Sequence, residues 1–258
     1  SFFHAVYYII IVGDGREGWD DQTMREIILV PAKKEGREVC AGHFATMSAG
    51  QNVQVLKTTL RKDVRHALKA LAVADVEQKS RQVCAAVADH EVYRRATNVS
   101  IFVSMPPPRE VQTWELIRQC FQDHKRVYVP KVTGASSKDM VMVPVPELRD
   151  IEGWPWSKWS IKEPTDEYVE AHPCATDKGE IDLVIVPGLA FSPSKSRLGQ
   201  GKGYYDTFLK RLFDAREEKQ LGPPVLVGVG LDEQIVEEVP VEGHDYVLDY
   251  VITPTRAW

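Results

Sequence analysis

The sequence predicts an α/β protein of three layers, α/β/α, around a mostly parallel sheet. Short apolar runs of strand length alternate with stretches of helical periodicity, and several of those runs are apolar on both faces. A glycine-rich segment lies between the clearest strand, "IDLVIVP", and the helix that follows it, where such sheets hold their ligands. With 258 residues, 43% of them hydrophobic and 27% charged, the chain can bury one substantial core. Its net charge of -5 provides no overall basic field for nucleic acid or an anionic membrane, so an anion must be met by a local cluster of cations.

In chain order, the apolar stretch from Ala5 to Val12 is about eight residues, strand length and far short of the roughly 20 that cross a bilayer. Residues 1–54 read as an extension of unassigned role. They carry Asp14, Glu17, Asp20, Asp21 and Glu26 where a transit peptide is poor in acids. The chain starts at Ser1, and Met24 and Met47 are both candidate natural starts. Residues 55–258 read as the main domain.

From Val55 the period becomes helical. Leu60, Val64, Leu68 and Leu71 form one apolar line, while Lys57, Arg61, Lys62, Arg65 and Lys69 make a basic face. A second helix from about Asp75 has Val76, Val83, Cys84 and Val87 as its buried line. "VSIFVS" (99–104) is a strand stopped by Pro106, Pro107 and Pro108, and a helix through Trp114, Ile117, Cys120 and Phe121 comes next. "RVYVP" and "MVMVPV" are strands, and Glu147 to Cys174, rich in Trp and Pro, reads as a surface excursion. "IDLVIVP" (181–187) is a buried strand. After the glycine segment a helix shows Tyr205, Phe208, Leu209, Leu212 and Phe213 on one face, and "PVLVGVGL" (224–231) and "YVLDYVI" (246–252) complete the sheet.

The glycine segment, "SRLGQGKGYYD" (196–206), reads as an anion cradle. Gly199, Gly201 and Gly203 alternate with Gln200 and Lys202, so backbone N–H groups can turn toward a ligand unobstructed. Arg197 offers a guanidinium fork and Lys202 a mobile charge, and the helix start at Tyr204 adds free N–H groups. The spacing is neither the P-loop nor the dinucleotide fingerprint, because Lys202 is followed by Gly203 rather than Ser or Thr. Asp206, in the first helical turn, suits the helix dipole and would also suit Mg2+ beside phosphate; Asp245 is the second acidic candidate. Cys40, Cys84, Cys120 and Cys174 lack zinc-site spacing and read as reduced thiols, and the seven histidines show no ligand pattern, His244 beside Asp245 being a candidate lining residue.

Over "VPGLAFSPSKSRLGQGKGYYDTFLKR" the chain resembles the 5-formyltetrahydrofolate cyclo-ligase (methenyltetrahydrofolate synthetase) family, matching its Pro-Gly-x-x-Phe and Arg-Leu-Gly-x-Gly-x-Gly-Tyr-Tyr-Asp motifs at Pro187, Gly188, Phe191 and Arg197 to Asp206. "KTTLRKDVR" is similar to its opening Lys-x-x-x-Arg helix. "SIFVSMPPPREVQT" resembles its Glu-x-x-Thr segment with two extra residues, "KWSIKEP" its Trp-x-Ile-x-Glu-Pro, and "LDEQIVEEVPVEGHDY" its closing aspartate.

The resemblance implies ATP-dependent conversion of 5-formyltetrahydrofolate to 5,10-methenyltetrahydrofolate on a sheet like that of sugar-phosphate isomerases and CoA-transferases. It implies catalytic roles for Lys57, Arg61, Arg197 and Lys202, and ATP contacts from these residues with Leu198, Gly199, Gln200, Gly201, Gly203, Tyr204 and Tyr205. It implies folate contacts from Val103, Glu110, Met140, Trp159 and Gln200 to Tyr204, and Mg2+ at Asp206 and Asp245. A monomer in the cytoplasm, acting on a small and sometimes polyglutamylated substrate without nucleic acid or membrane, is expected. A sugar-phosphate isomerase or CoA-transferase-like enzyme, which would ignore ATP, and a non-catalytic folate-binding homologue are the competing readings.

Overall fold

Alternate residues of the central strands face opposite ways, and that alternation divides the core in two. Leu183 and Ile185 pack with Val227, Val229, Val64, Val76, Val83 and Ile117 on one face, while Val184 and Val186 pack with Leu226, Val251, Phe208, Leu209 and Leu212 on the other. Each face is covered by helices, which gives the three layers expected.

The computed structural model describes residues 7–12, 26–31, 49–107, 109–243 and 245–258, with side chains from residue 53 onward. The chain divides into two compact units, Ser1–Asn52 and Val53–Trp258. In the first, β1 (Tyr7–Val12) pairs antiparallel with β2 (Glu26–Pro31), Tyr7 opposite Pro31 and Val12 opposite Glu26. The expectation at Ala5 to Val12 thus holds from Tyr7, and β2 was not foreseen. Cys40, Pro108 and His244 lie outside the described residues.

The remaining elements are α1 (Ala49–Lys69), α2 (Val73–Asp89), α3 (Glu91–Arg95), β3 (Asn98–Ser100), α4 (Trp114–Gln122), β4 (Arg126–Val132), β5 (Met140–Val145), α5 (Leu148–Gly153), α6 (Asp166–Ala171), β6 (Leu183–Pro187), β7 (Ala190–Phe191), β8 (Arg197–Leu198), α7 (Tyr204–Glu218), β9 (Val225–Val229) and β10 (Tyr250–Ile252). The sheet runs β10-β9-β6-β3-β4-β5, parallel except for β5, which is antiparallel to β4.

Four local readings needed revision. The strand at 99–104 is paired only to Ser100. Ile101 still donates to the Tyr128 carbonyl (2.9 Å), but the Phe102 carbonyl is taken by the Thr113 hydroxyl at 2.6 Å and the ladder ends. The strand at 246–252 begins at Tyr250, because Leu248 N–H donates to the Lys195 carbonyl (3.0 Å) and Asp249 engages the backbone of Leu226. The excursion Glu147–Cys174 contains two short helices, with Ile151 and Trp154 buried and the Thr165 hydroxyl capping α6 at Tyr168 N–H. A hairpin, β7 and β8, stands between β6 and the glycine segment; Leu189 N–H donates to the Leu198 carbonyl at 2.7 Å and Lys195 turns at φ 64°.

Phe191, at the end of β7, is fully buried against three glycines. A Cβ placed on Gly188, Gly228 or Gly230 would lie 2.5, 2.7 or 3.0 Å from its ring.

Candidate functional site

The site is built where the chain leaves the carboxyl end of β6. Hairpin β7–β8 brings Arg197 back beside Pro187, and its guanidinium, nearly buried, donates to the Pro187 carbonyl (3.3 Å) and to Asp206 Oδ1 (2.6 Å). Asp206 sits in the first turn of α7, so this ion pair fixes the start of the helix relative to the strand end. A charge-assisted bond of that length is among the stronger hydrogen bonds.

Gly201 (φ 94°) and Gly203 (φ 70°) adopt left-handed conformations, and the intervening Lys202 does not, the alternation that turns successive N–H groups to one side. Gly203 is also the N-cap of α7. Lys202 is exposed.

Helix α1 closes over this loop with one charged side chain per turn. Lys57, Arg61 and Arg65 recur at four-residue spacing and so share a face. Arg61 Nε donates to the Gly199 carbonyl at 3.0 Å, and Arg65 Nη2 to Gln200 Oε1 at 2.6 Å. A Cβ on Gly201 would lie 3.3 Å from the Arg61 guanidinium carbon, so the bare backbone is what lets helix and loop approach. Burial and the neighbouring Arg65 charge draw the Arg61 pKa down, against Asp245.

Lys57, 5% exposed, is held between Glu242 Oε2 (2.8 Å) and Asp245 Oδ2 (2.7 Å). Burial draws its pKa down, and the hydrogen bonds and charges of Asp245 and Glu242 outweigh this and leave it raised. Gln54, a turn earlier, also donates to Glu242 Oε2 at 2.8 Å, and Glu242 N–H to Asp245 Oδ2 at 2.8 Å. Arg65, Glu242 and Gln54 were not foreseen in the site. Arg65 was on the basic face, and its spacing from Lys57 and Arg61 was the available signal; nothing local marks Glu242, which arrives from 185 residues away.

The other side of the loop is less satisfied. The Tyr205 hydroxyl is buried and finds no hydrogen-bond partner among the described residues. Burial raises its pKa, with the Glu110 charge acting in the same direction and Arg197, 5.6 Å over its ring, opposing. Burial likewise pushes the Glu110 carboxyl up to about 7, against the Met105 N–H and Arg109. Glu110 Oε1 accepts from Met105 N–H at 2.7 Å, and the Gln112 amide bridges the carbonyls of Met105 (2.9 Å) and Glu110 (2.8 Å), stapling the proline-rich insertion into a closed turn. Tyr204, partly exposed, donates to the Gly134 carbonyl at 3.3 Å.

The candidate pterin wall is dispersed. Val103 (8% exposed) packs in the core layer under α1, α2 and α4, whereas Met140 (3%) packs in the α7 layer, with Tyr204 and Tyr205 at its edge. Trp159 is 55% exposed, its ring beside the Lys158 ammonium. Leu198 is a core residue on β8. Among the described residues no group of three or more His, Cys, Asp or Glu side chains is placed to hold a metal ion. Asp206 and Asp245 each hold a cationic side chain instead. Two carboxylates are still enough for Mg2+, which fills its remaining positions with phosphate and water, and the convergence of Glu242 and Asp245 on one ammonium shows that a cation is accommodated there.

The family model for the 5-formyltetrahydrofolate cyclo-ligase family matches residues 53–254. The chain is 33% identical over 204 residues to the 5-formyltetrahydrofolate cyclo-ligase of Mus musculus, covering 79% of this chain and 96% of that one. It is 32% identical over 203 residues to a probable 5-formyltetrahydrofolate cyclo-ligase of Schizosaccharomyces pombe, covering 78% and 96%. The solution structure of Aquifex aeolicus 5,10-methenyltetrahydrofolate synthetase superposes with a TM-score of 0.61 at 25% identity, over 78% of this chain and 91% of that one. The matched span opens within α1 and closes after β10, so it encloses the helix, the glycine hairpin and the acidic segment that together form the site: the chain belongs to the 5-formyltetrahydrofolate cyclo-ligase family.

Proposed function

We propose that the chain converts 5-formyltetrahydrofolate to 5,10-methenyltetrahydrofolate with consumption of ATP and release of ADP and phosphate. The observation that carries this reading is the closure of α1 on the glycine loop, with Arg61 on Gly199 and Lys57 one turn away. It places two cations, a left-handed glycine alternation and a helix N-terminus in one small volume, a combination suited to polyphosphate.

An amide-like formyl oxygen is a poor leaving group. Phosphoryl transfer from ATP to that oxygen forms an O–P bond as the bond to the leaving ADP breaks. N10 then attacks the activated carbon, phosphate departs with the former formyl oxygen, and N10 loses its proton to give the N5–C–N10 amidinium. Such transfer needs positioning and charge neutralisation more than a protein nucleophile. Lys57, Arg61, Arg197 and Lys202 supply the charge, and the backbone from Leu198 to Tyr205 orients the phosphates. Mg2+, held through Asp206 and Asp245, would add charge neutralisation between the phosphates when bound.

On the folate side, Glu110 accepts from pterin N–H groups, with Tyr204, Trp159 and the loop backbone around the ring, while Val103 and Met140 lie in separate core layers and support the site from behind. We propose a monomer acting in the cytoplasm; among the described residues no helix is long and apolar enough to cross a membrane.

Turnover of 5-formyltetrahydrofolate followed by methenyltetrahydrofolate absorbance, with and without ATP and Mg2+, tests the reading. Product is expected only when all are present. Absence of methenyl product despite binding of both compounds would overturn it.

A further inference from the structure

We infer that Lys57 is an internal cation parked between Glu242 and Asp245, and that the divalent cation entering with nucleotide takes its place, Glu242 and Asp245 becoming oxygen ligands while the Lys57 amine turns to the phosphates. The inference rests on the ATP reading above and extends the metal site to Glu242.

Three features converge on it. The two carboxylate oxygens lie 2.8 and 2.7 Å from one ammonium, so each faces the same point, the arrangement a cation site requires. The ammonium is nearly buried, whereas its partners' side chains remain 25% and 15% exposed, so a solvated ion can approach the carboxylates from outside while Lys57 holds them from within. The next turn of α1, about 6 Å along the axis, sets Arg61 on the glycine loop, so a rotation about the Lys57 side chain carries its amine from the acidic pair toward that loop without moving the helix.

Lysine in this role does two things. Without nucleotide it holds the carboxylate pair together and offsets part of its charge, and it is itself withheld from any stray anion. Exchange of a monovalent for a divalent cation keeps a positive charge at the pair throughout and offsets more of its negative charge once the ion is bound, so the partly buried carboxylates are never left facing each other without a cation between them.

Competition between two cations for one pair is a coupling free energy and can be measured without turnover. Mn2+ is titrated into the full chain in the absence of nucleotide, with free Mn2+ followed by electron paramagnetic resonance. Lys57→Met is expected to bind Mn2+ on the order of tenfold more tightly than the unmutated chain, and Lys57→Met with Glu242→Gln to lose that gain. Equal Mn2+ affinity in Lys57→Met and the unmutated chain overturns the exchange; retention of the gain in the double variant overturns Glu242 as a ligand. Lys57→Gln, which keeps hydrogen bonding to the carboxylates without the charge, provides the same comparison if Lys57→Met does not fold. Failure of the ATP reading would appear separately, as absence of ADP binding to the unmutated chain.

Discussion

The two sides of the glycine loop are prepared for ligand in opposite ways. Facing α1, four cations are already engaged: Lys57 by two carboxylates, Arg61 by Gly199, Arg65 by Gln200, and Arg197 by Asp206. Facing the proline-rich turn, Tyr205 keeps a buried hydroxyl unmatched and Glu110 a carboxyl that burial pushes up to about 7. On the reading proposed above, a ligand on the α1 side would be bound by exchanging partners, and one on the other side by supplying partners that are missing. An engaged cation costs little stability while it waits. An unmatched buried hydroxyl costs on the order of 1 to 3 kcal/mol, and a substrate that satisfies it recovers that amount as affinity.

Removing the pivot of the exchanging side has the largest expected effect. Lys57→Ala is expected to lower kcat/KM on the order of a thousandfold, since a donor aimed at developing charge contributes at about that level. It should also destabilise the fold by about 1 to 3 kcal/mol in urea unfolding, because the partly exposed Glu242 and Asp245 lose the Lys57 ammonium that holds them together. Loss of turnover with folate binding retained would separate an enzyme from a binding homologue.

The folate side is tested next by Trp159→Ala. The side chain is 55% exposed, so unfolding should shift by no more than about 0.5 kcal/mol. If the ring stacks on the pterin, KM for folate should rise roughly 5- to 150-fold, the value of an aromatic stack of about 1 to 3 kcal/mol. An unchanged KM would remove Trp159 from the wall.

Glu110 provides a pH signature. Its folded pKa is raised from 4.5 to about 7, so the folded chain holds a proton there that the unfolded chain has lost. The contribution to stability is full below pH 4.5 and is lost as pH rises through about 7. Over the same range the carboxylate forms, and KM for folate should fall as its acceptor strengthens. Glu110→Gln should flatten both trends, and a pH dependence of KM unchanged in that variant would assign it to another group.

Tyr205→Phe has the smallest expected effect on the fold. Deleting an unmatched buried hydroxyl should leave stability within about 1 kcal/mol of the parent or above it, while kcat falls several-fold if the hydroxyl meets substrate. A clear loss of stability would mean that the hydroxyl already has a partner in the folded chain.

The same contrast explains what could be read from residues alone. The glycine loop was legible because its chemistry is local: alternating glycines, Arg197 and Asp206 lie within one short stretch and form one structural unit. The helical spacing of Lys57, Arg61 and Arg65 was equally visible, but that Arg65 reaches Gln200 depends on how closely α1 approaches the loop. Glu242 was invisible, since nothing near it in sequence distinguishes a surface glutamate from one facing Lys57. The apolar stretches at 99–104 and 246–252 overstated their strands because apolar character reports burial, whereas pairing also needs carbonyls and N–H groups not claimed by Thr113 or Lys195. The helices within 147–174 were hidden by their length of six residues each, too short to show a period.

Phe191 gives the positions around it a shared history. Its ring occupies the space that side chains at 188, 228 and 230 would need, so those three sites and 191 constitute one volume distributed over two segments of chain. Relatives should change them as a block: an alanine at 230 should accompany a leucine or smaller residue at 191, and an alanine at 228 should accompany a smaller residue at 248 as well. Where the aromatic ring is kept, all three glycines should be kept with it, even at positions far from any ligand. The glycine loop would then be aligned with the sheet by a packing constraint, and its drift over evolution limited by the size of a single ring.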